Sequence, residues 1–440
     1  MRKETVSQPA PMVPAEATAD VIVVGAGPAG SSVAAHLALA GLDVLLLEKA
    51  HFPRVKICAD ALTPRAVREL VRLGVPTSEA DGWVKNNGVR LIGGGMRLQL
   101  DWPDSAEFPP FGLVRSGHDL AEMLARHAES KGAQLRQGVA VTAAVKDAAG
   151  RVIGVEADEI AADGQPTGQK LSFTAPLVVA ADGGASALAP ATTQAARAHR
   201  PNAVALQANY RSPRHDDDYL EAWLDLSTTN TRGRSTLLPG YGWIFGLDNG
   251  TSNVGLTVLR PEGTDAMQYH DVMQRWIATM PADWTFSEQT QTAPVQGAAL
   301  PTGFDRRPLY ADGLLLVGDA AAAVNPWSGD GIAAALETGR LAAEVITQSK
   351  ARVGDAGRER VLQSYPAVVG DSLGGYYTMG RLFAKMIDNP DVMRLGVKYA
   401  LPRQTMMRFV LKAVANLGGT HSRDADDRAL AMLARLTPAA

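Results

Sequence analysis

The residues from Ala19 to Glu48 constrain the fold of this chain more than any other stretch. The segments ADVIVV (19–24) and LDVLLL (42–47) are short apolar runs beside turn residues, which is typical of buried strands in a parallel sheet. The sequence GAGPAG (25–30) lies between them and precedes a predicted helix, 31–40, that Gly41 ends. We therefore predict a βαβ unit with a right-handed crossover, as in an α/β fold.

The glycine turn has the chemistry of a dinucleotide site. Gly25 permits a tight turn, Gly27 lets the backbone approach a pyrophosphate, and Gly30 allows close packing of helix on strand. The helix start adds free N–H donors and the positive end of the helix dipole. Glu48 follows Gly30 by 18 residues and can bind ribose hydroxyls, which disfavours NADP. The alternative is a structural glycine turn.

Two later motifs favour FAD over NAD at this site. LVVAADGGAS (177–186) places Asp182 and Gly183 after an apolar run. LLLVGDAAAAVNPWSGDGI (314–332) places Gly318 and Asp319 after another, and a predicted helix, 330–349, follows. An acid at a strand end can accept a hydrogen bond from a ribityl or ribose hydroxyl. An isolated Asp-Gly is usually only a turn, but the order of the three motifs is more specific.

The motifs are separated by sheet-like segments, so we predict discontinuous domains within the 440 residues. The fold class is α/β, with a Rossmann-like FAD-binding domain, an inserted antiparallel-sheet substrate domain and a helical C-terminus. The predicted ranges are a disordered arm at 1–19, the FAD-binding domain at 20–82, 111–200 and 301–350, the substrate-binding sheet domain at 83–110 and 201–300, and the helical region at 351–440.

Charge and cysteine content exclude some classes of protein. The chain has 43 Lys and Arg against 46 Asp and Glu, without the basic excess of a nucleic-acid binder. Cys58 is the single cysteine, so no internal disulfide can form. The N-terminal residues lack the apolar run of a secretory signal, and we expect a cytoplasmic protein. No metal site and no membrane-spanning segment are predicted.

One stretch leaves peripheral membrane contact open. Residues 392–422 contain no acid but five basic residues, interleaved with apolar and aromatic side chains. Such a segment can lie on an anionic membrane surface. The alternative is a helical pair that packs on the core with a solvated basic face.

Taken together, the motifs GAGPAG, ADG and GDAAAAVNP resemble those of the FAD-dependent oxidoreductases of the hydroxybenzoate-hydroxylase superfamily. Within it, FPRVKICADALTPRAV (52–67) and PGYGWIF (239–245) resemble stretches of the geranylgeranyl reductases, especially the actinobacterial menaquinone-reductase type. These features extend from about residue 20 to residue 350.

The resemblance implies roles for individual residues. The residues assigned to the cofactor are Gly25, Gly27, Pro28, Ala29, Gly30, Glu48, Lys49, Cys58, Ala59, Arg115, Asp182, Gly183, Gly318, Asp319, Gly329, Gly331 and Ile332. The residues assigned to the substrate pocket are Tyr241, Trp243, Phe245 and Trp327. Four of these have plainer readings: Arg115 as a surface residue, Cys58 as a small buried residue, and Tyr241 with Trp243 as core aromatics.

The resemblance also implies reduction of a carbon–carbon double bond in a hydrophobic, isoprenoid or polyketide-like substrate. FAD would supply the hydride, Cys58 or water the proton, and NAD(P)H or another reductant would bind transiently. The sequence departs from the family at Ala59, Ala61 and Gly246, where the family has two glycines and a proline. Two alternatives stay open: a flavin monooxygenase that hydroxylates or epoxidises an apolar metabolite, and a flavoprotein whose FAD is structural.

Overall fold

A computed structural model of the protein describes residues 17–54, 61–115, 117–192, 203–229, 235–259, 266–304, 306–387, 389–418 and 425–436. Nearly all of the predicted arm lies outside the described residues. So do Cys58 and Ala59, and the predictions made for them stay predictions.

The strands in chain order are β1 (Ala17–Thr18), β2 (Val21–Val24), β3 (Val44–Glu48), β4 (Ala61–Leu62), β5 (Val84–Asn86), β6 (Gly88–Gly93), β7 (Met96–Asp101), β8 (Gly112–Val114), β9 (Gln134–Gln137), β10 (Val139–Lys146), β11 (Val152–Ile160), β12 (Pro166–Thr174), β13 (Leu177–Ala180), β14 (Ala203–Arg211), β15 (Tyr219–Trp223), β16 (Ser227–Thr229), β17 (Ser235–Leu237), β18 (Gly240–Gly246), β19 (Thr251–Leu259), β20 (Gln296–Leu300), β21 (Tyr310–Ala311) and β22 (Leu314–Leu316). The α-helices are α1 (Pro28–Leu39), α2 (Pro64–Leu73), α3 (Gly117–Ser130), α4 (Ala266–Ile277), α5 (Ile332–Lys350), α6 (Asp355–Leu362), α7 (Tyr365–Val369), α8 (Gly375–Ile387), α9 (Pro390–Leu395), α10 (Gln404–Val414) and α11 (Ala425–Leu436).

A six-stranded sheet in the order β21-β22-β13-β2-β3-β9 forms the centre of the molecule. All of its strands are parallel except β21, and β2 is completely buried. Helices α1 and α5 cross closely, since Ser32 Oγ donates a hydrogen bond of 2.8 Å to the carbonyl oxygen of Leu336. The α/β fold class is confirmed, and α1 begins three residues before the predicted start because Pro28 suits the first helical position.

The second large sheet has seven strands in the order β20-β14-β19-β18-β15-β6-β7. The predicted antiparallel pairing holds for the other five strand pairs, whereas β6 pairs with β15 in parallel. These strands are far apart in the sequence, so a hairpin does not fix their direction. One face packs on α4, where a Cβ on Gly242 would lie 2.5 Å from the ring of Trp276.

Smaller sheets and C-terminal helices complete the fold. The predicted hairpin at 139–155 is part of a meander of β10, β11 and β12, with β1 at its edge. Helix α10 packs on β6 and β7 through Met407 and Leu411. Among the helices of the described residues, none combines the length and the apolar character needed to cross a membrane. The predicted domain boundaries stay a prediction.

A buried ion pair joins α2 and α5, and its arginine also bonds to the backbone just after α10. Arg65 on α2 donates two hydrogen bonds of 2.8 Å to the carboxylate of Glu337 on α5, and a third of 2.9 Å to the carbonyl oxygen of Asn416. Ser372 Oγ donates a further bond of 2.5 Å to Glu337. Burial alone would raise the pKa of Glu337, but the charge and hydrogen bonds of Arg65 outweigh it and lower this pKa to about 2.

Candidate active site

The glycine turn at the end of β2 leaves no room for a side chain at Gly25 or Gly30. Gly25 has φ of 100°, and a Cβ there would lie 2.4 Å from the carbonyl oxygen of Ala181. A Cβ on Gly30 would lie 1.8 Å from the carbonyl oxygen of Gly25. Helix α1 begins after Gly27 without a side-chain cap, and the buried Ser31 Oγ has no hydrogen-bond partner among the described residues. This bare helix start fits a phosphate group.

Glu48 lies at the end of β3, beside the glycine turn. Its carboxylate accepts hydrogen bonds from the backbone N–H groups of Ala26 (2.9 Å) and Ala50 (3.0 Å). Arg54 Nη2 lies 3.4 Å from the same carboxylate. Two carboxylate oxygens offer about four acceptor positions, so Glu48 can support the turn and also accept a ligand hydroxyl. The neighbouring Lys49 is exposed.

Asp182 follows β13 at the same edge of the parallel sheet. Its Oδ2 accepts a hydrogen bond of 2.8 Å from the N–H of Ala187, while its buried Oδ1 has no hydrogen-bond partner among the described residues. Burial raises the pKa of this carboxyl group. An unpartnered buried oxygen beside a glycine turn fits a ligand that donates a hydroxyl group.

Arg306 connects two of the motifs and was missed in the sequence analysis. Its guanidinium donates hydrogen bonds to the carbonyl oxygens of Gly184, Asp319 and Ala320. It therefore joins the loop after β13 to the turn after β22. The sequence FDRRPLY around it matches no motif, so only the tertiary contacts identify it.

The turn Asn325–Gly331, called the GDG turn below, leads into α5. Asn325 Oδ1 accepts a hydrogen bond of 2.9 Å from the N–H of Trp327. Asp330 Oδ1 accepts one of 3.0 Å from the N–H of Ile332, and Thr63 Oγ1 donates one of 3.1 Å to Asp330 Oδ2. Burial raises the pKa of Asp330. The turn is thus held both by its own side chains and by the residue that precedes α2.

A cavity of about 550 Å³ extends from these turns to the seven-stranded sheet and the C-terminal helices. The residues predicted for the cofactor that line it are Gly27, Pro28, Ala29, Gly183, Asp319, Gly329, Gly331 and Ile332. Five others do not line the cavity but lie next to residues at its edge: Gly25, Gly30, Glu48, Asp182 and Gly318. The residues predicted for the substrate pocket that line it are Tyr241, Trp243, Phe245 and Trp327.

Arg115 is not brought to this cavity. Its guanidinium donates a hydrogen bond to the carbonyl oxygen of Asp81 and lies over the ring of Trp83, with 5.2 Å between Cζ and the ring centroid. The predicted cofactor contact of Arg115 therefore has no support from the cavity lining.

Side-chain contacts orient the aromatic wall of the cavity. Tyr241 donates a hydrogen bond of 2.6 Å to the carbonyl oxygen of Ser328, which connects the seven-stranded sheet to the GDG turn. Burial raises the pKa of Tyr241, so its hydroxyl keeps its proton. Trp243 Nε1 donates one of 2.6 Å to Asn253 Oδ1.

The C-terminal helices supply another wall, which the sequence analysis did not predict. The ring of Phe383 on α8 stacks on Trp327 with 4.1 Å between centroids. Asn325 Nδ2 donates a hydrogen bond of 3.1 Å to the carbonyl oxygen of Val414 at the end of α10. The GDG turn therefore touches both helices.

The departures from the family pattern have different outcomes. A Cβ on Gly246 would lie 2.2 Å from the carbonyl oxygen of His215, so the backbone of a neighbouring loop excludes any larger residue. Ala61 lies in β4 and lines the cavity. Ala59 is outside the described residues.

The titratable residues that line the cavity are Glu221, Tyr241, Asp319 and Asp330. Within the described part of the chain, no Lys, Arg or His lines it. The same part of the chain holds no group of three or more His, Cys, Asp or Glu side chains arranged to bind a metal ion. The part of the cavity beyond the glycine turn therefore fits a neutral apolar molecule better than an anionic one.

The chain is similar to known reductases in sequence and in fold. The model of the FAD binding domain family matches residues 18–365. The menaquinone reductase of Mycobacterium tuberculosis is 33% identical over 411 residues, which are 92% of this chain and 93% of that protein. Digeranylgeranylglycerophospholipid reductase 1 of Methanothermobacter thermautotrophicus is 28% identical over 383 residues, 84% of this chain and 88% of that protein. The structure of a geranylgeranyl bacteriochlorophyll reductase-like protein from Thermoplasma acidophilum superimposes with a TM-score of 0.74 at 21% identity, and covers 94% of this chain and 99% of that one.

Proposed function

The chain belongs to the FAD binding domain family, and on that premise we propose that it reduces carbon–carbon double bonds of an isoprenoid-like substrate as an FAD-dependent oxidoreductase. FAD is its cofactor. The observation that carries the proposal is the single cavity that joins the cofactor edge of the parallel sheet to the aromatic wall of the second sheet.

The cofactor edge supports the binding of FAD through contacts of three kinds. The glycine turn and the bare start of α1 would receive the pyrophosphate. Glu48 and the unpartnered oxygen of Asp182 would accept hydrogen bonds from hydroxyl groups of FAD. The backbone of the GDG turn would lie beside the ring system, at the end of the cavity where Tyr241 bonds to Ser328.

The cavity walls would position the alkene and exclude water. When bound, FAD supplies the hydride for the reduction. Tyr241 and Trp243 line the cavity with aromatic rings, which suit an unsaturated chain, and Trp327 stacked on Phe383 forms another part of the wall. Cys58 or a water molecule would supply the proton to the second carbon of the double bond. Tyr241 is a poor donor for this step because burial raises its pKa.

The hydrophobic substrate class is consistent with the relatives, which act on menaquinone and on geranylgeranyl lipids by name. A neutral isoprenoid or quinone matches a cavity wall without basic side chains in the described residues. We propose that NAD(P)H or another reductant binds only transiently. The division into an FAD-binding domain, a substrate-binding sheet domain and a C-terminal helical region is likewise our proposal.

We also propose that the basic stretch 392–422 contacts a membrane surface. In the described part of this stretch, Arg394, Lys398, Arg403 and Arg408 are exposed. Such cations would be attracted to an anionic membrane. The cytoplasmic location stays a prediction.

An anaerobic turnover experiment tests the proposed function. The bound flavin is reduced chemically and mixed with polyprenyl or polyketide alkenes, while flavin absorbance and substrate mass are followed. We expect the oxidised spectrum to return and the product to gain two hydrogens per double bond. A fully saturated polyprenyl compound is the matched control and should leave the flavin reduced.

Two other outcomes would replace the proposal. Reoxidation that requires oxygen and adds an oxygen atom to the substrate would indicate the monooxygenase. Substrate conversion without any change in the redox state of the flavin would indicate a structural FAD.

A further inference from the structure

The cavity reaches the surface at the C-terminal helices. Met386 at the end of α8 and Met406 at the start of α10 both line the cavity, yet 51% and 48% of their surfaces are exposed. Gly396 between them also lines the cavity and is exposed. These three residues therefore mark a mouth of the cavity.

The chain segments that form this mouth expose several large apolar side chains. Most exposed side chains of an ordinary protein surface are polar, and large apolar side chains are scattered singly. Here Leu382, Met386, Leu395, Tyr399 and Met406 are about half exposed or more, and they all lie within 25 residues of the chain. We call these five residues the C-terminal apolar patch.

Positive charge lies among the residues of this patch. Between residues 382 and 408 the sequence has five basic residues, Lys385, Arg394, Lys398, Arg403 and Arg408, against two acids, Asp388 and Asp391. Of the two acids, Asp391 lies in the described residues, and its Oδ1 forms an ion pair of 3.0 Å with Arg394 Nη1. An apolar surface with basic residues around it is complementary to an anionic bilayer.

The mouth is connected to the cofactor edge by a short apolar path. Met386 and Phe383 are neighbours on the same side of α8, one turn apart. Phe383 stacks on Trp327 of the GDG turn. A chain that enters past Met386 therefore meets apolar side chains as far as the turn beside the cofactor edge.

We propose that the C-terminal apolar patch docks on an anionic lipid bilayer and that the mouth between Met386 and Met406 takes the isoprenoid chain directly from the lipid phase. This inference rests on the proposed function. The segment to be reduced enters the cavity, while the remainder of the chain stays in the bilayer. The patch determines access to the substrate, and the cavity determines which bond is reduced.

Flotation with vesicles tests the docking. The FAD-loaded protein is mixed with vesicles of phosphatidylcholine and phosphatidylglycerol, or of phosphatidylcholine alone. We expect the wild-type protein to float with the anionic vesicles and much less with the neutral ones. The double variant Leu395→Glu/Tyr399→Glu places two carboxylates on the patch, away from the cavity wall, and should lose about tenfold or more of the vesicle binding.

Val353→Glu is the matched control, because Val353 is 97% exposed and lies beyond the far end of α5. It should bind vesicles like the wild type. Flavin content of all variants reports that they fold. Equal flotation of the double variant and the wild type, or no flotation of either, would overturn the docking.

Activity separates this inference from the proposed function. The double variant should lose kcat/KM for a polyprenyl quinone embedded in vesicles, but retain the wild-type rate on a short-chain analogue in buffer. If the wild type reduces the short-chain analogue but does not float, the docking is wrong and the proposed function stands. If the wild type floats but reduces neither substrate, the proposed function is wrong and the docking stands.

Discussion

Replacement of Arg65 by Met should destabilise the folded protein strongly at neutral pH. The change removes the cation that faces Glu337 and leaves a carboxylate with 2% of its side chain exposed. The pKa of Glu337 is lowered from 4.5 to about 2. Each tenfold change in proton affinity is worth about 1.4 kcal/mol, so the surroundings of the ionised group contribute about 3 kcal/mol.

Arg68 and Asn416 change the expected loss of stability in opposite directions. Arg68 Nη2 lies 3.9 Å from Glu337 and would retain part of the attraction. The loss of the bond from Arg65 to the carbonyl oxygen of Asn416 acts in the opposite direction. We therefore expect Arg65→Met to lower the free energy of unfolding by about 3 kcal/mol at pH 7, within the range for a broken buried ion pair.

The effect of Arg65→Met on the free energy of unfolding should depend on pH. Because the pKa of Glu337 is lower in the folded than in the unfolded protein, its contribution is fully present above about pH 5. It is lost as the pH falls from about 4.5 to about 2, and the difference between wild type and variant should narrow over that range. Urea unfolding at several pH values, followed by tryptophan fluorescence, measures it.

The double variant Arg65→Met/Glu337→Met is the control. It removes both charges and fills the space with apolar atoms, so it should be more stable than Arg65→Met alone. The reasoning would be refuted if the free energy of unfolding of Arg65→Met lay within about 0.5 kcal/mol of the wild-type value at pH 7. It would also be refuted if the double variant were the less stable of the two.

Three further predictions concern the site. Glu48→Ala should lower the FAD content of the purified protein, since the glycine turn loses its acceptor, and flavin absorbance that stays at the wild-type ratio would contradict the assignment. Cys58→Ser should slow alkene reduction if the thiol supplies the proton, and an unchanged single-turnover rate would assign that step to water. Tyr241→Phe removes the bond to Ser328 but keeps the ring, so we expect roughly a five- to tenfold loss of kcat/KM, about the worth of one hydrogen bond, with unchanged FAD content.

The cofactor half of the site could be predicted from the sequence because its parts are local. A strand, a glycine turn and a helix follow one another within about thirty residues, and Gly25 and Gly30 are each explained by a backbone atom that lies where the Cβ would be. The acid that ends β3 and the acid that follows β13 lie at the same edge because parallel strands end at one edge of a sheet.

The other half of the site depends on contacts between distant segments. The parallel pairing of β6 with β15 joins strands more than a hundred residues apart, and no local pattern indicates it. Arg306 bonds to backbone carbonyl groups, which have no sequence signature. The sequence predicts α8 and α10 only as parts of a C-terminal helical region, and the stacking of Phe383 on Trp327 becomes visible only in the packed structure.

Part of the cavity wall lies beyond the end of the family match, and this bears on how substrate specificity could change. The matched residues end at 365, whereas the wall that includes Phe383, Met386, Met406 and Val410 lies beyond that point. One part of the wall offered to the substrate is therefore encoded after the stretch that forms the cofactor edge and the aromatic wall. Exchange of the last seventy or so residues between relatives would change that part of the wall and leave the cofactor edge in place, so chimeras joined after α7 would measure its share in substrate specificity.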